Sequence, residues 1–371
     1  MTSHRGKNIL LVGNWRSDTA YAWKMIEHFW LAIARTFADR QTILCFPEVA
    51  TVSPEITDAG IKVVEFSVDF RNPRALIDFC LQHDIGLIYF TDRPYTSSVY
   101  RKLRANGVRH IVIHDHAPGQ RTRPSVIKSF WKKANARIYG ADSYIACSEH
   151  VLNRLITVGC LPPNHCHLAR NGLDLTPFSN LNPKIRKELA LPPDVLLVVS
   201  CSRLHPYKRV SDIVDAAARV TDLPLHFIHI GDGPEFNSLR DRIRDHGLDA
   251  RFTLLGKRDN VPELLSGCDI AVHASDGEGL CLAMLEFMAS GLALAVTDEP
   301  TVSGIIEPGV TALTFTHRNV AALASTLRTL GTNSQLRQRL GQAARNMVEA
   351  QFRIENTVSS VISALKSTVA R

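Results

Sequence analysis

The stretch IAVHASDGEGLCLAMLEFMASGLALAV, residues 270–296, holds a whole parallel-sheet unit. An apolar run of strand length (270–274) breaks at Gly277 and Gly279, continues as an apolar helical pattern (280–290), and closes after Gly291 on a second apolar run (292–296). Neither run alternates with polar residues, so both strand faces must be covered, which is the signature of a parallel sheet with helices on its two sides. Working back from this unit, strands are expected at 195–201, 225–231 and 251–256, with helices near 208–220, 234–246, 260–267, 302–307 and 317–330. The first 170 residues show the same alternation. Strands are expected at 8–13, 42–46, 62–66, 85–90, 110–114 and 143–147, and helices near 18–38, 73–82, 97–106, 124–139 and 149–158. The pattern restarts after NGLDLTPFSNLNP (171–183), whose Asn, Pro and Ser content reads as a linker. The expected fold is α/β, with two Rossmann-like doubly wound domains at 1–172 and 173–351 and a central cleft between them. Ligands are expected at the carboxyl ends of the strands.

Composition sets the class. A chain of 371 residues exceeds one ordinary core, while 45% apolar and 21% charged residues suit a globular protein. The longest apolar runs, such as VLLVV (195–199), are strand-sized, and the run near the N-terminus is too short for a signal peptide, so a cytoplasmic protein is expected. Eight cysteines without a CxxC pair point to reduced thiols. His165, Cys166 and His167 form a metal-like cluster, but strand alternation would turn the cysteine away from the histidines, and no metal site is expected there. The net charge is +7, and between Arg93 and Arg137 eleven Lys or Arg stand against one acid, Asp115. Such a face suits phosphates, an anionic membrane or nucleic acid, or is simply solvated.

Three strand ends in the second half carry phosphate-binding chemistry. Arg203 and Lys208, after VVSC, offer a fork and a point charge that together suit a diphosphate. Gly231 and Gly233 in GDGP mark a tight turn, although the pattern fails as a dinucleotide fingerprint. In the opening stretch the expected helix start near Leu280 would turn free N–H groups towards an anion, with Glu278 outside the helix and Glu286 within it. Two carboxylates flanking amide donors, on the order of 10 Å apart, match a diphosphate carrying a sugar at each end. A capping glutamate plus a surface glutamate is the alternative.

Taken in order, these residues resemble the retaining glycosyltransferases of family 4, which have the GT-B fold. The series runs Arg203-x4-Lys208, GDGP (231–234), LLGKRDNVPELLSGCDIAVHAS (254–275), then Glu278-x7-Glu286 with Met288, Ala289 and Gly291. ADSYIACSEHVLNRLITVGC (141–160) and NGLD (171–174) resemble the end of the family's first domain, and the likeness covers roughly residues 85–371. The resemblance implies that Arg203 and Lys208 hold the donor diphosphate, Glu286 accepts from the ribose hydroxyls, and Glu278 contacts the transferred sugar. The amides of Gly279, Leu280 and Cys281 would receive the distal phosphate. IVIHDHAPG supplies His114, with His116 as alternate, beside the reacting sugar. Asp115 would orient it or touch the acceptor, with Asn14 and Arg16 also on the acceptor side. The last helix, 352–371, would pack back on the first domain. No metal or cofactor is implied beyond the nucleotide sugar, and no nucleic acid.

The departures are Asn14, Trp15 and Arg16 where a Gly-Gly pair is usual, Pro300-Thr301 at a second such pair, Arg209 after Lys208, and Cys281 at a glycine position. RTRPSVIKSFWKKANARIYG (121–140) carries six basic residues and an apolar stripe, Ile127, Phe130, Trp131, Ala134 and Ile138. The stripe either packs on the sheet or, with Lys128, Lys132 and Lys133, meets anionic headgroups or a lipid-linked acceptor at the inner face of a membrane. Besides a glycosyltransferase of polysaccharide or glycoconjugate biosynthesis, a sugar-nucleotide epimerase or hydrolase and a non-catalytic basic scaffold remain open.

Overall fold

The computed structural model describes residues 6–18, 24–117, 122–179 and 183–371. The expected helix start at 19–23, Arg121 and part of the linker, 180–182, lie outside the described residues. The chain divides into two compact units, Met1–Asn171 with Ile354–Arg371, and Gly172–Arg353.

The first unit is built on seven parallel strands: β1 Asn8–Val12, β2 Thr42–Phe46, β3 Lys62–Glu65, β4 Ile85–Thr91, β5 His110–Asp115, β6 Ser143–Ala146 and β7 Cys166–Leu168, in the order β3-β2-β1-β4-β5-β6-β7. β4 is buried along its whole length because helices cover both faces of the sheet, which is why its sequence does not alternate. The helix Ile354–Val369 belongs to this unit. Its Ile354, Val361 and Leu365 share a core with Ile9, Leu87 and Ile145, each fully buried aliphatic side chain contributing about 1.5–3 kcal/mol.

The second unit holds six parallel strands: β8 Leu196–Cys201, β9 Leu225–Ile230, β10 Phe252–Leu254, β11 Ile270–His273, β12 Ala293–Thr297 and β13 Ala312–Phe315, in the order β10-β9-β8-β11-β12-β13. In each sheet the chain order reverses at one place, between β1 and β4 and between β8 and β11. Connections from these neighbours leave in opposite directions and open a crevice at the strands' carboxyl ends.

Several expectations need correction. Residues 302–307 form no helix. A short 3-10 turn, Pro300–Val302, leads into turns in which Gly304 and Gly309 adopt positive φ. β7, β13 and the helix Ser334–Gln351 were not anticipated. The helix expected from Leu280 begins at Leu282, with Cys281 at its N-cap. The helix Val126–Tyr139 has no buried residue, and Val126, Ile127, Phe130, Trp131 and Ile138 are exposed, so its apolar stripe does not pack on the sheet.

Gly341 lies mid-way along Ser334–Gln351, where a glycine costs about 1 kcal/mol relative to alanine. Its lack of a side chain lets this helix approach the turn after Leu282–Ala289, since a Cβ would sit 2.0 Å from the Gly291 carbonyl oxygen. Gly341→Ala is therefore expected to destabilise by about 1–3 kcal/mol in urea titration, against its gain in helix propensity. A stabilised variant would show that the contact yields.

Candidate functional site

In the second unit, the crevice between β8 and β11 gathers most of the candidate residues. After β8 the chain passes Arg203 and forms a 3-10 turn, Pro206–Lys208. After β11 it turns through Gly277 to reach the helix Leu282–Ala289. The two loops are tied where the Tyr207 carbonyl accepts from the Asp276 amide (2.7 Å) and the Ser275 hydroxyl (3.3 Å). A third loop packs beneath Arg203. Gly231 and Gly233 both have positive φ, and a Cβ on either would strike the backbone of Ser202 or Leu204 within 2.5 Å. The glycines of GDGP thus serve close approach of backbone to backbone.

Lys208 Nζ donates to Glu278 Oε1, and both side chains are about nine-tenths buried. Burial pulls the Lys208 pKa down, but the Glu278 charge and hydrogen bond outweigh it and hold the ammonium above its ordinary value. Arg209 caps this turn in the left-handed region (φ 55°), where a glycine would be unstrained. Its guanidinium forks onto Asp212 at 2.8 and 3.0 Å. Arg203 is exposed, and its guanidinium donates to the Tyr207 hydroxyl at 3.4 Å.

Glu286 stands apart from this pair. It is 95% buried, and among the described residues no donor is bonded to its carboxyl. Burial alone pushes its pKa up to about 8. Gly279, Leu280 and Cys281 lie on the approach to the helix, whose first-turn N–H groups start at Leu282. His273, at the end of β11, sets its Nδ1 3.6 Å from Cys281 Sγ, while its Nε2 is buried without a partner. Burial lowers His273 to about 4 and raises the Cys281 thiol to about 12. One ligand atom each from His273, Glu278 and Cys281 lies within 4.8 Å of the others. His165, Cys166 and His167 form no such group. Instead His165 Nδ1 meets the Asp142 carbonyl at 2.8 Å.

Sequence reasoning missed a second charged cluster at this mouth. Asp276 accepts from Arg318 (2.6 and 3.1 Å) and meets His317 Nε2 at 2.8 Å, and His317 Nδ1 meets Glu299 at 2.7 Å. His317 and Arg318 follow β13, and without that strand their place could not be read.

In the first unit, His114 is the penultimate residue of β5 and has no exposed surface. Its Nδ1 pairs with the Tyr89 hydroxyl at 2.5 Å and its Nε2 is unpartnered. Burial holds it neutral, well below its ordinary pKa, and likewise brings the half-buried His116 to about 4. Asp115 is fully committed inside the unit. Arg154 reaches both its oxygens at 3.1 Å, the Tyr95 hydroxyl donates to Oδ2 and the Ala117 amide to Oδ1. An acceptor contact at Asp115 would have to compete with these four bonds. Asn14 Nδ2 bonds the Thr91 carbonyl across the β1/β4 crevice. Arg16 is exposed in ion pairs with Asp18 (2.6 Å) and Glu48 (3.3 Å). Asp92, unnoticed in the sequence, holds the His116 amide at 2.6 Å from a left-handed conformation, and burial lifts its carboxyl to about 6.

Residues 182–347 match the family model for glycosyl transferases group 1, and residues 26–177 match that for glycosyltransferase family 4. The chain belongs to the GT-B glycosyltransferases. Over 177 residues it is 30% identical to the N-acetyl-alpha-D-glucosaminyl L-malate synthase of Bacillus anthracis, covering 47% of this chain and 46% of that one. Over 270 residues it is 25% identical to the N-acetylgalactosamine-N,N'-diacetylbacillosaminyl-diphospho-undecaprenol 4-alpha-N-acetylgalactosaminyltransferase of Campylobacter jejuni, covering 67% and 70%. The matches span less than half the length of three of the curated relatives. The crystal structure of Anabaena HepE in complex with UDP and glucose superposes with a TM-score of 0.77 at 20% identity, over 97% of this chain and 100% of that one, which speaks to the fold.

The Glu286 shift has a measurable sign. Its folded-state pKa of about 8 stands above the ordinary 4.5, so its contribution to stability is full below 4.5 and is lost as pH rises to about 8. Glu286→Gln is expected to melt close to wild type at pH 5 and above it at pH 8 to 9. A stability difference that stays flat across this range would contradict the shift.

Proposed function

We propose that the protein transfers a sugar from a nucleoside-diphosphate sugar to a hydroxyl acceptor, with retained anomeric configuration and without a catalytic metal. The observation that carries this reading is Glu286, a buried carboxyl at a topological switch point with no donor among the described residues. A ribose supplies two hydroxyl donors of the kind this carboxyl lacks. Arg203, Lys208 and the N-terminal amides of Leu282–Ala289 would take the diphosphate, and Glu278 the sugar. The acceptor oxygen attacks the anomeric carbon on the face from which the diphosphate leaves. The C–O bond to the phosphate breaks, and the acceptor's proton passes to the leaving phosphate. Little covalent chemistry is asked of the protein, and the barrier falls through stabilisation of charge on the leaving group. His114 or His116 would stand beside the sugar, and His116 is the half-exposed one. The HepE complex with UDP and glucose supports a uridine donor. Lys208→Ala is expected to lower kcat about 10²-fold, and Glu286→Ala to raise the donor KM. A panel of nucleotide sugars in thermal shift, followed by product analysis with and without acceptor, checks the assignment. Conversion of the donor without an acceptor would favour the epimerase or hydrolase reading.

The acceptor in this proposal is lipid-linked, a reading supported by the diphospho-undecaprenol in the name of the Campylobacter relative and by the exposed helix Val126–Tyr139. No described helix is long and apolar enough to cross a membrane, so contact would be peripheral, at the cytoplasmic face. Phe130, Trp131 and Ile127 would enter the interface while Lys128 and Lys133 meet headgroups. Lys132 is turned to the protein, donating to the Val158 carbonyl at 2.7 Å. The double variant Phe130→Ser/Trp131→Ser is expected to weaken co-sedimentation with anionic vesicles by at least about 10-fold. Undiminished binding would sink the membrane role of this helix.

A further inference from the structure

His273, Glu278 and Cys281 make a second use of the donor crevice possible. They come from three different places: the last residue of β11, the turn after it, and the N-cap of Leu282–Ala289. All three are more than 90% buried, and one ligand atom from each falls within 4.8 Å of the others. The separation between His273 Nδ1 and Cys281 Sγ is 3.6 Å. Tetrahedral zinc, with bonds of about 2.0–2.1 Å to nitrogen and about 2.3 Å to sulfur, requires a nitrogen-to-sulfur distance of about 3.6 Å. A hydrogen bond between imidazole and thiol accounts for that distance as well, and the Glu278 carboxylate, paired with Lys208, brings a third donor atom within 4.8 Å of both. Lys208 donates to Oε1 of Glu278.

We propose that His273, Glu278 and Cys281 form a binding site for a thiophilic divalent cation, Zn2+ in the first place, and that the cation competes with the donor. One imidazole, one carboxylate and one thiolate are a three-residue donor set of the type that leaves a fourth position to water. On binding, a metal–sulfur bond replaces the thiol S–H and the proton leaves to solvent. The competition, unlike the site, rests on the transfer reading. Glu278 cannot ligate the cation and serve the transferred sugar together, and a dication beside Lys208 alters the charge that meets the diphosphate. The metal is an inhibitor here and has no part in the transfer step.

The test uses Co2+ and Zn2+ on the full chain. Titration with Co2+ is expected to produce thiolate-to-cobalt charge-transfer absorption with the visible bands of tetrahedral cobalt, and Zn2+ is expected to bleach them. His273→Leu and Cys281→Ser should each abolish the absorption while keeping wild-type circular dichroism. Bands that persist in both variants come from other cysteines and overturn the site, as does the absence of bands in folded wild type. In transfer assays, micromolar Zn2+ should raise the donor KM several-fold without lowering kcat, EDTA should reverse this, and His273→Leu should transfer normally and resist Zn2+. A fall in kcat at unchanged KM overturns the competition. Cobalt bands in a protein that transfers no sugar would leave the metal site standing and bring down the transfer reading alone.

Discussion

The second unit depends on Lys208 and Glu278 leaving water together. Each charge alone would cost several kcal/mol to bury, and the mutual attraction offsets this only while the geometry holds. The two residues lie on loops after different strands, β8 and β11, so the pair also fixes how the loops stand across the crevice. The Tyr207 carbonyl, one residue from Lys208, is bonded by the residues at 275 and 276 and prevents the loops from sliding. Removing one partner would leave the other charge buried and uncompensated, a larger effect than the worth of the pair itself. Any anion drawn to Lys208 must also contend with Glu278, which leaves the exposed Arg203 as the less committed cation.

Glu278 and Glu286 are eight positions apart, yet their environments differ. One is ion-paired, and the other is buried without an ion pair, its pKa displaced to about 8. Carboxylates so separated in environment take separate roles, one as a fixed charge and one as a carboxyl waiting for donors. A helix glutamate on the surface would have neither property. The alternative reading of the stretch, a cap and a surface accident, fails on burial alone.

Much of this was legible in sequence because parallel strands buried on both faces leave continuous apolar runs, and the runs at 8–13, 85–90, 195–201 and 270–274 correspond to β1, β4, β8 and β11. Edge strands β7 and β13 are short and only partly buried, so they carry little of that signal. The fate of the stripe at 126–138 was illegible for another reason. Helical spacing shows that a face exists, and only the tertiary structure shows that none of the described residues buries it. The pairing of Asp115 with Arg154 is illegible because Arg154 is thirty-nine residues away on a helix where an arginine reads as surface.

The departures from the family pattern alter the chemistry of the crevice more than its scaffold. Arg209 occupies a left-handed position that favours glycine, at a cost on the order of 1 kcal/mol. Its fork onto Asp212 is anchored in the first turn of the next helix and holds the same turn by other means. The route past Lys208 is therefore kept without the glycine. Cys281 differs in kind. With φ −78° and ψ 104° it needs no glycine, so the backbone tolerates the substitution, and what is added is a thiol in contact with His273. A side chain that the backbone accepts without strain, beside His273 and Glu278, adds chemistry to the crevice where a glycine would add none.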